Sequence, residues 1–294
     1  MSFVPFMYSG VVEKAMIRFI KRLPSVKWYG IEVQMDVCDV IHRKISGGHF
    51  EETERRFISK ILGDGCVAID IGAHCGFMTI AIAKSMKVNG LVHSYEPIPQ
   101  NFSELTRNVQ TFGEQVLVHQ IAVVATSETS LSLGRPDFWD IEESLTSGNY
   151  SANFRENAIE VKALNINTVL DKHDTVDLVK IDVEGLEIEI IQNITNTNLI
   201  KLSNIMFETV LGRGAPSNVL ENTVFELRQN GFDVIRPLPL ISSKRLVIGL
   251  SFSTVSWIIR LVAPVIKLLL DVDGTTVNFV AVQRSKSPYR LVLI

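Results

Sequence analysis

The sequence predicts an α/β protein built on a mostly parallel sheet, and three observations carry that prediction. Buried-strand patterns alternate with helix patterns from residue 66 onward. The stretch "VAIDIGAHCG" (67–76) runs an apolar strand straight into a glycine-bearing turn and then a helix. Hydrophobic residues make up 46% of the 294-residue chain against 21% charged, enough apolar matter to cover a sheet on both faces.

The elements follow in order. Residues 11–22, "VVEKAMIRFIKR", read as an amphipathic helix with Lys14, Arg18 and Lys21 off the apolar face. Residues 51–62 read as a second helix, stopped by Gly63 and Gly65. Together, 1–62 are expected to form a helical segment packed on the core, and 63–294 the main domain. Strands are expected at 66–72, 90–97, 115–124, 177–185, 204–210, 232–237 and 275–284. Helices are expected at 77–87, 99–112, 185–194 and 217–230. The polar stretch 126–160, with Gly134, Pro136 and Gly148, reads as a loop insert or hairpin over the sheet edge.

Bulk properties exclude several functions. A net charge of −3 shows no basic excess, which argues against nucleic acid as partner. Cys38, Cys66 and Cys75 form no C-x-x-C pair and no zinc spacing, which suits a reducing compartment. The N-terminus lacks a basic region ahead of an apolar run, so a cytoplasmic location is expected. Residues 246–270 carry only Arg260 and Lys267 as charges, with polar positions at helical spacing and Pro264 to kink them. Arg260 near the centre makes membrane spanning costly. This apolar insert, within 238–274, is expected to be a lid, a face for a homodimer, or a peripheral membrane contact shared with 11–22.

Ligands of such sheets sit beyond the carboxyl ends of the strands. Gly72 permits a sharp turn there, and Gly76 lets a helix begin close to a ligand. The turn reads D-x-G-x-x-x-G, with His74 where a dinucleotide fingerprint has its second glycine, so a pyrophosphate would be crowded. Asp70 at the strand end suits a cationic ligand, and Glu96 closes the next strand where an acid takes ribose hydroxyls. S-adenosylmethionine, a nucleoside carrying an amino acid and no phosphate, fits these groups better than NAD. An NAD(P)-dependent oxidoreductase and a non-catalytic membrane-associated protein retaining the fold are the alternatives.

"VAIDIGAHCGFMTIAIA", "VHSYEPIPQNFSELTRNV", "IAVVATSETSLSL", "INTVLDKH", "LVKIDVEGLEIEIIQN" and "IMFETV" resemble, in order, the motifs of FkbM-type S-adenosylmethionine-dependent methyltransferases, over about 66–236. The resemblance implies a class I methyltransferase fold. This is a Rossmann-like three-layer sandwich whose seven-stranded, mostly parallel sheet has its last strand antiparallel. It also implies that Asp70, Gly72, Ala73, His74 and Gly76 surround the methionine part of the cofactor. Glu96 would take the ribose, Pro97 would shape the adenosine site, Asn101 would stand nearby and Ala122 would lie by the adenine. The family usually carries Asn where this chain has His74.

For catalysis, strand alternation aims Asp182 and Glu184 to one face at a strand end, and Glu208 closes the neighbouring strand. A carboxylate buried there is a candidate base for a hydroxyl acceptor. Glu187 and Glu189 read as charges at a helix start, and His173 as an exposed loop histidine. Asp182, Glu184 and Glu208 are oxygen donors, but no spacing requires a metal and none is assigned. The expected reaction is O-methylation of a sugar, glycolipid or secondary-metabolite hydroxyl, the acceptor class being implied by the resemblance.

Overall fold

The computed structural model describes residues 25–34, 51–87, 89–134, 158–183, 185–211, 217–237, 246–251, 275–286 and 290–293. Two short strands come first, β1 (Ser25–Trp28) and β2 (Ile31–Gln34), paired antiparallel as a hairpin. Tyr29 and Gly30 make its turn with φ of 51° and 80°, the left-handed pair that a two-residue hairpin needs. Sequence periodicity did not reveal this hairpin, because four-residue strands carry too little pattern. The hairpin docks through Trp28, whose indole Nε1 donates to the Phe77 carbonyl at 3.0 Å. Helix α1 (Glu52–Ile61) follows and buries Phe57 and Ile58.

The central sheet is built from β3 (Val67–Ile71), β4 (Leu91–Tyr95), β5 (Val116–His119), β9 (Leu178–Ile181), β10 (Asn204–Leu211), β11 (Phe232–Pro237) and β13 (Thr275–Gln283). Their spatial order is β5-β4-β3-β9-β10-β13-β11. Strands β5, β4, β3, β9 and β10 run parallel, and β13 runs antiparallel between β10 and β11. This is the seven-stranded arrangement expected, with the last strand reversed. Two further strands, β12 (Leu246–Ser251) and β14 (Arg290–Leu293), widen the sheet beyond β11 to nine strands.

Helices cover both faces. α1, α2 (Phe77–Ser85) and α3 (Pro99–Val109) pack with the hairpin on one face, around Ile58, Ile80, Leu105 and Met206. α4 (Ile166–Leu170), α5 (Glu187–Gln192) and α7 (Ser217–Gln229) pack on the other, around Ile69, Ile190, Phe207 and Phe279. α2 is apolar all round, with seven consecutive residues buried; it lies between the sheet and its neighbouring helices, so no face needs to be polar. A short helix α6 (Asn196–Leu199) precedes β10.

Two expectations need correction. The single strand expected over 115–124 is two: after β5 the chain leaves the central sheet, and β6 (Ala122–Val124) pairs instead with β8 (Ile159–Asn165). With β7 (Ser130–Leu133), which pairs antiparallel with β8, these make a separate three-stranded sheet; of the stretch 126–160, expected as a loop insert or hairpin, only 126–134 and 158–160 are described. The helix expected over 246–270 does not include 246–251, which is strand β12 paired to β11; backbone pairing at the open edge of β11 wins over helical periodicity. Residues 252–274, 11–22 and Cys38 lie outside the described residues. Among those described, no helix is long and apolar enough to cross a membrane.

Gly72 sets how close β3 and β9 come at their carboxyl ends. It has φ +80°, and a Cβ there would stand 1.7 Å from the Asp182 carbonyl oxygen. Gly72→Ala therefore has to push two strand ends apart, in addition to the left-handed strain. It is expected to lower stability by about 3 kcal/mol or more, read as a shift of the urea midpoint with unchanged slope.

Candidate functional site

At the carboxyl ends of β3 and β4 the chain encloses a crevice of about 740 Å³, its open mouth included. Its walls are largely apolar: Ile71, Ile98, Ala122, Val123, Leu131 and Leu133 are among them. The polar groups are few. Glu96 stands at one side and Asp182 at another, with Gly72 and His74 between the strands. An apolar slot with few placed polar groups is what a small-molecule site requires.

Glu96 is held from three directions. Its Oε2 accepts from the His74 amide at 2.8 Å, and its Oε1 from the Ile98 amide at 2.9 Å and the Asn101 Nδ2 at 3.4 Å. His74 can aim its amide there because it takes φ 51°, a left-handed conformation that is uncommon outside glycine. Burial pushes the Glu96 carboxyl up, while His74 and these donors pull it back. A carboxylate offers about four lone-pair positions, so this one, fixed in place, keeps capacity for a ligand hydroxyl.

Behind the crevice lies a buried charge relay. Strand alternation puts Asp70 and Lys180 on the α1–α2 face, where they are register partners. Asp70 is 0% exposed; Thr79 Oγ1 donates to its Oδ2 at 2.7 Å, and Lys180 Nζ stands 3.8 Å from its Oδ1. Lys180 Nζ also donates to Asp182 Oδ2 at 2.9 Å. Burial opposes the charge on Lys180, yet the carboxylates of Asp182, Asp70 and Glu51 outweigh it and hold the ammonium firmly protonated. Burial pushes the Asp70 carboxyl up; Lys180 and Thr79 oppose that.

The site residues expected from sequence divide accordingly. Gly72, His74, Glu96, Pro97, Ala122 and Asp182 line the crevice. Asp70, Ala73, Gly76 and Asn101 stand behind it. The Ala73 amide donates to the Tyr95 carbonyl at 3.0 Å, and Asn101 holds Glu96. At Gly76, with φ +94°, a Cβ would lie 2.8 Å from Leu105 Cδ1, so its bareness serves helix packing. Glu208 lies two residues beyond Met206, the register partner of Lys180, on the same face as Asp182. Glu184 lies outside the described residues. Glu187 is not a surface charge: it is 7% exposed and accepts from the Val183 amide at 2.9 Å and the Gly185 amide at 3.1 Å.

Sequence reading missed two groups. Lys180 had a signal, a lone cation inside the four-residue buried strand LVKI. Glu51 had none. It caps α1 with φ 43°, and its Oε2 is enclosed without a hydrogen-bond partner.

Beside the crevice wall three histidines meet. The His93 and His119 rings stack at 5.3 Å, His173 packs edge-on to His93 at 4.8 Å, and His119 stacks on Tyr95, a crevice residue, at 4.5 Å. His173 is thus half-buried, contrary to the exposed loop position expected. Among the described residues, no group of three or more His, Cys, Asp or Glu side chains is arranged to hold a metal ion.

Residues 70–236, more than half of the chain, match the family described as the methyltransferase FkbM domain. No curated protein matches. Several solved structures are similar in fold. Precorrin-6y C5,15-methyltransferase from Geobacter metallireducens is 16% identical, covering 77% of this chain and 85% of that one with a TM-score of 0.37. M. jannaschii TYW2 in complex with AdoMet is 14% identical, covering 88% and 85% with a TM-score of 0.41. At such scores the family match carries the assignment. The cofactor of that family is S-adenosylmethionine, and the residues present fit it: apolar walls suit an adenine, Glu96 suits a ribose diol, and the carboxylate of Asp182 suits the cationic end.

Two outcomes follow. Lys180→Met strands Asp70 and Asp182 without their cation and is expected to cost about 3–5 kcal/mol, measured by urea unfolding at neutral pH. Burial first, then the neighbouring His173 and His119, lower His93 from 6.5 to about 4. A lowered folded value means stability present above pH 6.5 and lost as pH falls toward about 4. His93→Leu should flatten that part of the stability–pH curve.

Proposed function

We propose that this chain, which belongs to the FkbM family of S-adenosylmethionine-dependent methyltransferases, methylates a hydroxyl oxygen of a sugar, glycolipid or secondary metabolite. The observation that carries this reading is the crevice itself: an apolar slot with a fixed carboxylate, Glu96, at one side and an ion-paired carboxylate, Asp182, at another. The family resemblance supports the acceptor class.

When bound, the cofactor supplies an electrophilic methyl on a positively charged sulfur. The protein's own work is placement. Glu96, locked by His74, Ile98 and Asn101, receives the ribose hydroxyls. Ala122 and its apolar neighbours exclude water from the base. Asp182, steadied by Lys180, marks the cationic end, and the acceptor approaches from the side of β9 and β10, where Asp182 and Glu208 share one face. A carboxylate on that side draws the acceptor proton away as the new bond forms.

Incubating the full chain with methyl-labelled S-adenosylmethionine and fractionated extract should place label on a hydroxyl-bearing small molecule; label found only on nitrogen or on protein rejects the O-methylation reading. Glu96→Ala should weaken S-adenosylhomocysteine binding by about tenfold or more, as hydrogen bonds to a charged acceptor are lost, measured by calorimetry. Unchanged affinity would place the ribose elsewhere.

A further inference from the structure

We propose that His119 is a positioning residue for the cofactor: its ring, gripped by His93, props Tyr95, and Tyr95 in turn fixes the glycine turn of the crevice. The proposal rests on the cofactor reading and not on the acceptor class.

The ring is placed at a junction. Tyr95 and His119 end β4 and β5 and are register partners. Their rings stack with centroids 4.5 Å apart at 17°. Tyr95 lines the crevice, and its carbonyl accepts both the Gly72 and the Ala73 amides at 3.0 Å. The His119 carbonyl accepts the Glu96 amide, also at 3.0 Å. Just beyond His119 the chain leaves the central sheet, and Ala122 and Val123 return as another crevice wall. His119 is therefore the last fixed point before the crossover. It touches the residue that carries the turn and the one that carries the ribose carboxylate.

The ring is itself held. His93 Nδ1 and His119 Nε2 are 3.1 Å apart, so one nitrogen donates and the other accepts. His173, beyond α4, packs edge-on against His93 at 4.8 Å. Apolar rings would fill this space at lower cost. The Nε2 atoms of His93 and His173 are enclosed without a hydrogen-bond partner among the described residues, a penalty that apolar side chains do not carry. What imidazoles add is a grip that depends on protonation.

The grip needs neutral rings. The groups facing His93 are His173, His119 and Lys172; Lys172 also faces His119, and Lys172 and Lys201 face His173. Lys201 lies 3.9 Å from Asp171. Burial first, then these neighbours, lower all three rings from their ordinary 6.5. Burial pushes the Tyr95 phenol up to about 12, so it stays neutral throughout. Each histidine charges more readily once it is out of the cluster. Acid therefore favours the loosened arrangement: the grip is complete above pH 6.5 and is lost as pH falls. Once His93 and His119 are both charged, N–H faces N–H and their hydrogen bond is gone.

Histidine ring-proton NMR of the full chain, titrated from about pH 7.5 to about pH 5 with and without S-adenosylhomocysteine, tests the coupling. Saturating ligand should displace the His93 and His119 titrations further to acid, because a ligand that needs the grip resists its loss. Titrations that the ligand leaves unmoved overturn the proposal. Calorimetry reads the other side of the linkage. His119→Ala should weaken S-adenosylhomocysteine binding about tenfold at neutral pH, and His119→Phe, which returns a flat ring to Tyr95, should recover most of that. Native affinity should fall about tenfold or more between about pH 7.5 and about pH 5. The fall in His119→Phe should be about threefold smaller, since one ring no longer titrates while the crevice carboxylates still do. Equal falls, or an Ala variant that binds as the native protein does, overturn the assignment. The NMR arm uses the unmodified protein and stands even if a variant does not fold. A native protein that fails to bind S-adenosylhomocysteine at neutral pH overturns the cofactor reading beneath the proposal.

Discussion

The buried ion pair of Lys180 with Asp70 and Asp182 is the constraint on which this site depends. Asp70 on β3 and Lys180 on β9 face each other in register at the centre of the sheet, where water does not reach. Neither charge is tolerable there alone. Each fixes the other, and Lys180 then reaches forward to hold Asp182 at the crevice wall. Replacing such a group by apolar residues of equal volume is often neutral or stabilising. Its presence in this sheet is therefore better understood through what it positions than through any gain in stability. A rigid line of charge runs from the core to the rim, and it sets the local potential for every group around it.

Two glycines show how one sequence feature can serve two ends. From the sequence alone, Gly72 and Gly76 both read as clearing room for a ligand. Gly72 does line the crevice, yet its bareness first lets β3 and β9 close at their ends, with the Asp182 carbonyl where a side chain would begin. Gly76 faces Leu105 and Val109 of α3. The turn is thus shaped by protein packing against itself. The crevice results from that packing, with His74 forced into a left-handed conformation that turns its amide onto Glu96.

Most of the sheet was legible because its strands are buried on both faces and read as short apolar runs. Strand 66–72 and the acid ending the next strand located the crevice for the same reason. What escaped detection is instructive. The break after His119 leaves no mark in "VLVHQIAVV", since both halves favour strand; only pairing partners distant in sequence, β4 and β8, decide where the chain changes sheets. Residues 246–251 are apolar enough for helix or strand, and an available edge at β11 settles the matter. Glu51 sits in a run of acids, EETER, that reads as a solvated helix start. Its burial comes from where α1 docks, a tertiary fact with no local signature.

Charge balance links the core to the chemistry. Three carboxylates, Glu51, Asp70 and Asp182, act on one ammonium, Lys180. Lys180 sits 2.9 Å from Asp182 and 3.8 Å from Asp70; burial pushes the carboxyls of both Asp70 and Glu51 up, and Lys180 opposes that at each. Acid is thus in excess of base by two around a single buried lysine, and the crevice wall that Asp182 forms takes on a negative potential suited to a cationic ligand.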